Sequence, residues 1–373
     1  MKTIRLGQVC RPRQWPTISQ SDLLPEGFPV YGANSHIGFY HTYNHEESVV
    51  AVTCRGATCG EVSFIPPKSY VTGNAMCLDE MDENQLLKIY AFQALRHFGL
   101  KNIVSGSAQP QIIAQDVRKY SLPIPPLPEQ RKIADILSTW DEALETLDAL
   151  IATKTRQKQA LMQQLLTGKT RVKGAKGKWK KIRMGELLER VFRPIEWHSE
   201  LPLNLVSLRR RCGGLFRRPA VNGSGYKTKD LHEIRAGDFL ISKRQVVHGA
   251  WGYVTPAFEG GHVSKEYVIL DNRAPDKLHM PFFAWLAQTG RLIRLARVSS
   301  TGVHIEKLIF DPAVFLRESI RIPADLAEQQ QIATILDTAD HELTLLRTQR
   351  QTLDQQKRGL MQRLLTGKIR VNP

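Results

Sequence analysis

Five arginines, Arg209, Arg210, Arg211, Arg217 and Arg218, surround a Cys212-Gly213-Gly214 tripeptide, which places five guanidinium groups on an expected loop. Lys243, Arg244 and Gln245 follow the strand-like run DFLIS and precede a glycine-rich turn. The chemistry open to such groups is nucleic-acid binding: Lys and Arg grip phosphate, Arg also reads guanine, and Gln or Asn reads adenine. For any one of these cations phosphate contact is the commoner role, and a plain solvated surface has the same composition. A quieter set lies on other Gly- or Pro-marked loops. It comprises Asn34, Ser35 and His36 in NSHIG, Arg55 in TCRGATCG, and Gln109 and Gln111 in SGSAQPQ. Ser299, Ser300, Thr301 and His304 hold the corresponding place later in the chain. The acidic run DEMDE, Asp79 to Glu83, is expected to face away from phosphate.

Motifs for bond-making chemistry are missing or incomplete. GKT at Gly168 resembles a phosphate loop, but the glycine needed five residues earlier is Gln163, and the second copy of the motif reads GKI. A helix C-cap explains both. DEAL at Asp141 matches an ATPase box only in its letters, and Asp141 is read as a surface charge on a helix. The adenine methyltransferase tetrad, Asn or Asp followed by Pro-Pro-aromatic, does not occur, and PDK at Pro275 lacks the carboxylate-x-lysine of a common nuclease core. No His-x-x-x-His pair falls on an expected helix, so neither a catalytic nor a metal site is expected.

With 373 residues, 42% hydrophobic and 24% charged, the chain is long enough for two or three folded units. No apolar run reaches the ~18 residues of a membrane span. The opening MKTIRLGQVCRPRQW lacks the apolar centre of a secretory signal, so cytoplasmic residence is expected. Five cysteines, Cys10, Cys54, Cys59, Cys77 and Cys212, show no repeated zinc spacing and read as packed, reduced thiols. The formal charge of +16, concentrated in residues 179–322, suits a polyanionic partner.

These loops need a scaffold, and an internal repeat supplies it. EQRKIADILSTWDEALETL from Glu129 recurs as EQQQIATILDTADHELTLL from Glu328, and LMQQLLTGKTRV from Leu161 recurs as LMQRLLTGKIRV from Leu360. Both copies carry a 4-3 apolar spacing that marks a coiled-coil helix. The first seam is Ile133, Leu137, Trp140, Leu144, Leu147, Ile151, Lys154, Lys158, Leu161 and Leu165. The second is Ile332, Leu336, Ala339, Leu343, Leu346, Arg350, Leu353, Lys357, Leu360 and Leu364. Each seam is the obvious partner of the other, with Lys154 and Lys158 facing Arg350 and Lys357; packing on the globular parts is the alternative. Ahead of each helix, KTIRLGQ and KKIRMGE open two globular segments, in which Gly- and Pro-punctuated apolar runs read as strands and turns. LTGKTRVKGAKGKWK reads as the linker between the halves.

The order globular, helix, globular, helix, with PLPEQRKIADIL and LMQQLLTGKTRV repeated as LAEQQQIATIL and LMQRLLTGKIRV, resembles the specificity subunits of type I restriction-modification systems over essentially the full length. The second copy departs from the first at Ala327, where the first has Pro128. The resemblance implies an α+β fold with a pseudo-two-fold repeat. It sets target recognition domains at 1–127 and 180–326, spacer helices at 128–168 and 327–373 including a tail, and a linker at 169–179. It also implies a chain without catalysis of its own. Its partners would be double-stranded DNA, two adenine methyltransferase subunits and motor-nuclease restriction subunits, which would carry S-adenosylmethionine, ATP and magnesium. The target would be asymmetric and bipartite, its halves about one helical turn, ~34 Å, apart, with helix length acting as a ruler. Asp141, Glu142, Glu145, Arg156, Gln163, Gln164, Gln362 and Arg363 on the helix surfaces are the expected docking face. Two other readings stay open: a free-standing bivalent DNA-binding repressor, and a coiled-coil adaptor for RNA or acidic protein.

Overall fold

The computed structural model describes every residue except Asn34, Ser107, Asn372 and Pro373. The chain divides into two compact units, Met1–Leu150 with Leu346–Pro373, and Ile151–Leu345. Two long helices, Leu127–Leu165 and Leu326–Leu365, are each shared between the units. At 1.5 Å per residue each runs about 60 Å.

In the first unit a four-stranded antiparallel sheet has the order Arg11–Gln14, Ala75–Asp79, Val49–Thr53, Val62–Ile65. Its central strand, VVAVT, is buried on both faces. The two-residue period of a strand then separates two cores. Val50 and Val52, with Met76 and Leu78, face Tyr90, Ala91, Ala94 and Leu95 of the helix Lys88–Phe98. Val49 and Ala51, with Ala75 and Cys77, pack on Tyr31 and Val71 of a smaller three-stranded sheet. Lys2–Arg5 pairs with Ser121–Ile124, which leads into the first long helix.

The second unit repeats this plan. Its four-stranded sheet has the order Leu188–Val191, Tyr267–Asn272, Phe239–Ser242, Trp251–Tyr253. Phe239 and Ile241 meet Phe282, Phe283 and Leu286 of the helix Met280–Ala287, whereas Leu240 and Ile269 meet Val206, Ile234 and Val263 on the other face. Trp179–Arg183 pairs with Ser319–Pro323 ahead of the second long helix.

Burial along both long helices follows the 4-3 spacing, with Ile133, Leu137, Leu144, Leu147, Leu165, Ile332, Leu336, Leu343 and Leu364 buried and the remaining seam positions at least half-buried. Within each unit the two helix portions run antiparallel. In the first, Arg350 Nε reaches Asp148 Oδ1 at 3.0 Å, and Lys357 pairs with Asp141. In the second, Lys154 pairs with Glu342 at 2.7 Å, and Lys158 pairs with Asp340. The seam cations therefore do not face one another as the sequence suggested; an antiparallel register sets each against an acid. Asp141 is likewise no free surface charge, because Lys357, Gln93 at 2.7 Å and Arg96 at 3.4 Å all converge on it. Glu142, Glu145, Arg156, Gln163, Gln164, Gln362 and Arg363 are exposed.

The repeated Glu-Gln dipeptide fastens each helix start. Gln130 Nε2 donates to the carbonyls of Pro125 and Gln85 at 3.0 and 2.9 Å, and its Oε1 accepts from Leu87 N at 3.0 Å. Gln329 does the same with Pro323, Lys277 and His279. Beside them, buried Glu129 takes two bonds from Arg370, and buried Glu328 takes two from Arg171. The glycine- and lysine-rich stretch after the first helix is thus anchored at Arg171 rather than being a free linker throughout.

Candidate nucleic-acid interface

In the second unit three loops converge beyond the central strand Phe239–Ser242. The turn Arg209–Gly214 closes the hairpin of Val206–Leu208 with Leu215–Arg217. Arg211 and Cys212 sit there at φ of +57° and +54°, a left-handed backbone that side chains rarely adopt. Two bonds hold it: Arg211 N donates to His248 O at 2.7 Å, and Cys212 N to Gly249 O at 2.9 Å. Residue 249 must be glycine for this docking, since its φ is +71° and a Cβ would lie 3.1 Å from Cys212 N and Sγ. The third loop, residues 299–309, is tied in by Phe310 N donating to Lys243 O at 2.9 Å. Glu306 of this loop lies 3.4 Å from Arg210 Nη2 and 3.1 Å from His248 Nε2.

The expected residues divide accordingly. Arg209, Arg210 and Arg211 are exposed on the turn, and Lys243, Arg244 and Gln245 occupy the adjoining one. Ser300 is half-buried on the loop, while Thr301 and His304 are exposed. Arg217 and Arg218 do not share the turn: Arg217 ends the strand that leaves it and donates to Ala257 O at 2.6 Å, and Arg218, just beyond, donates to Tyr226 Oη at 3.4 Å. Arg244 is paired with Glu266 at 2.7 Å. Burial, and then the charge of Arg190, lowers the Lys243 ammonium below its ordinary value.

The first unit builds the same place from different side chains. Ile112 N donates to Cys54 O at 3.0 Å, the counterpart of the Phe310–Lys243 tether, and Gly56 N donates to Pro110 O at 3.1 Å. Arg55 and Gln111 form an isolated bridge, so the loop at 105–111 meets the turn after Val49–Thr53. Thr53 Oγ1 donates to Ala33 O at 2.6 Å, close in sequence to Ser35 and to the strand that His36 begins. Ser35, His36, Arg55, Gln109 and Gln111 are all exposed. Asn34 lies outside the described residues.

The acidic run is not uniformly solvated. Asp79 is buried, accepting from Trp15 Nε1 at 3.0 Å and lying 3.0 Å from His45 Nε2. His45, Cys77 and Asp79 are the three-donor group among the described residues whose ligand atoms lie within 4.8 Å. Both Asp79 oxygens already have partners in Trp15 and His45. The cysteines are free, and burial, helped by Asp79, pushes the Cys10 thiol up to about 12. Glu306, His248 and the pair Arg13–Trp15, with the guanidinium 3.7 Å above the ring, were not singled out in the sequence. A lone acid or histidine in a loop carries no periodicity that would mark it.

The profile of the type I restriction modification DNA specificity domain matches residues 1–153. The chain is 25% identical over 329 residues to a putative specificity subunit of the type I restriction enzyme MjaX from Methanocaldococcus jannaschii, covering 82% of this chain and 73% of that one. It is 23% identical over 357 residues to the specificity subunit of the type I enzyme MjaVIII from the same organism, covering 87% and 80%. The crystal structure of the type I S subunit from M. genitalium shares the fold, with a TM-score of 0.70 at 16% identity over 98% of this chain and 96% of that one. With its family profile over residues 1–153 and relatives along most of its length, the chain is similar to the specificity subunits of type I restriction enzymes, which are non-catalytic chains of DNA target recognition.

Proposed function

We propose that each unit reads one half of an asymmetric, bipartite DNA target through the loops gathered beyond its central strand. The observation that carries this reading is the matched tether, Ile112 to Cys54 in one unit and Phe310 to Lys243 in the other, with unlike side chains around it. A strongly cationic set surrounds one and a nearly neutral polar set the other, so the two half-sites differ. Arg209, Arg210, Arg211, Lys243, Arg244, Ser300, Thr301 and His304 serve the second half-site. Asn34, Ser35, His36, Arg55, Gln109 and Gln111 serve the first. Gln245, Arg217 at the end of its strand and Arg218 just beyond it support the second set as weaker phosphate contacts.

Chemistry on the bound DNA belongs to partners: two adenine methyltransferase subunits using S-adenosylmethionine, and restriction subunits using ATP and magnesium. The exposed helix residues Glu142, Glu145, Arg156, Gln163, Gln164, Gln362 and Arg363 are the proposed docking face, and the cytoplasm the place of action. Selection from a random duplex library with the intact chain in complex with its modification subunits tests this reading. Two unlike half-sites around an unread gap should be enriched, and the triple variant Arg209→Ala, Arg210→Ala, Arg211→Ala should erase one half only. Enrichment of a single contiguous site, or loss of both halves together, would refute it.

A further inference from the structure

Glu306 is an acid in the middle of the second unit's cationic loops. Its side chain is 58% exposed and that of Arg210 is 54% exposed, so burial does not explain the pair, and exposed ion pairs add little to folding. A surface built only to hold phosphate would be weakened by a carboxylate at its centre. Glu306 is also approached at both oxygens: Arg210 Nη2 donates to Oε2 at 3.4 Å, and Oε1 lies 3.1 Å from the buried His248 Nε2, which makes no hydrogen bond. His248 is in turn fixed, because its carbonyl accepts the Arg211 N–H at 2.7 Å. The result is a presented pattern of guanidinium donors beside carboxylate acceptors.

In the major groove a G·C pair offers the guanine N7 and O6 acceptors beside the cytosine N4 amino donor. An arginine fork matches the first two and a carboxylate accepts from the third. On an A·T pair the adenine N6 amino group would oppose the second guanidinium donor, and thymine O4 would oppose the carboxylate. Resting on the DNA-recognition reading above, we infer that Arg210 and Glu306 together read one G·C base pair of the second half-site, with His248 as a positioning residue.

The test is competition binding by the intact complex to a panel of duplexes, each differing at one base pair from the site that the wild type methylates. Wild type is compared with Glu306→Gln and Arg210→Lys, after melting curves establish that both variants fold. The wild type should reject substitutions at one G·C position by on the order of 10- to 100-fold. Both variants should lose most of that discrimination and keep it at every other position. Uniform weakening over the whole panel would assign the pair to phosphate contact or loop structure and overturn the proposal. So would an unchanged profile in both variants, or a loss confined to an A·T position. A wild-type complex with no sequence preference at all would overturn the DNA-recognition reading itself, and the proposal with it.

Discussion

Arg171, beyond the C-terminal end of the first long helix, donates from Nη2 to Oε2 of Glu328 at the start of the second at 2.6 Å, and Glu328 has a fully buried side chain. Arg370 and Glu129, each 199 positions away in the repeat, make the mirrored contact at 2.6 Å. The Glu-Gln motif and the Thr-Gly-Lys-x-Arg motif are therefore two parts of one contact, made once in each unit with the two helices' roles exchanged. This is why the motifs recur together: an arginine removed from one copy leaves a buried carboxylate beside the other without its counter-charge.

Removing one partner should cost more than removing the charge. Arg171→Ala is expected to destabilise the second unit, because a carboxylate remains buried without its counter-charge. Adding Glu328→Gln to that variant should recover part of the loss. Denaturant unfolding of the two singles and the double gives the coupling directly, and additive effects would show that the contact is not coupled.

The matched pair in the first unit makes stability pH-dependent. The Arg370 hydrogen bonds hold the Glu129 carboxyl below its ordinary value, against the opposing effect of burial. A folded value below the unfolded one means that the stabilisation is complete above the unfolded value and is lost as pH falls through it toward the folded one. Melting curves taken from neutral pH down through about pH 4 should therefore show a steeper loss for wild type than for Arg370→Gln. Parallel curves would contradict the assignment.

Along the helices, Asp141 is the counter-charge of Lys357, whose side chain is only 5% exposed. Asp141→Asn should destabilise the first unit by about 3 kcal/mol, and Asp141→Leu with Lys357→Met should restore most of it, since an apolar pair carries no desolvation cost. Chemical denaturation checks both. A double variant as unstable as the single would point instead to the bonds from Gln93 and Arg96.

The arginines of the second unit should separate in the salt dependence of DNA binding. Each phosphate contact contributes about 0.9 to the slope of log K against log salt. The triple variant Arg209→Ala, Arg210→Ala, Arg211→Ala should lower that slope by about 2, with Arg210 contributing to base discrimination instead. Arg217→Ala with Arg218→Ala should lower it by less than about 1, because Ala257 O and Tyr226 Oη already engage those guanidiniums. Equal effects from both sets would show that the hairpin acts as one cationic surface.

The long helices were legible because one physical rule, a 3.5-residue apolar period, acts along some forty residues and is written twice. The loop sites were legible only as composition. Glycine, arginine and glutamine mark a place where backbone turns and polar groups meet, and Arg55 with Gln111 and Lys243 with the loop at 299–309 do meet. The partner of each charge was not readable, since pairing depends on register. Lys158 and Lys357 looked like opposed cations until antiparallel packing set them against Asp340 and Asp141. Asp79 looked like part of an acidic face because nothing local announces that Trp15 and His45 will cover it. Glu306 carried no signal at all beyond its being an acid in a basic neighbourhood.

The most direct test is single-molecule sequencing of adenine methylation in cells with the gene intact, deleted, or carrying the triple alanine variant at Arg209, Arg210 and Arg211. Deletion should remove one asymmetric, split motif from the methylome. The variant should lose or relax only the half read by the second unit. A methylome unchanged by deletion in cells that express the chain and its modification subunits would contradict its role in directing modification.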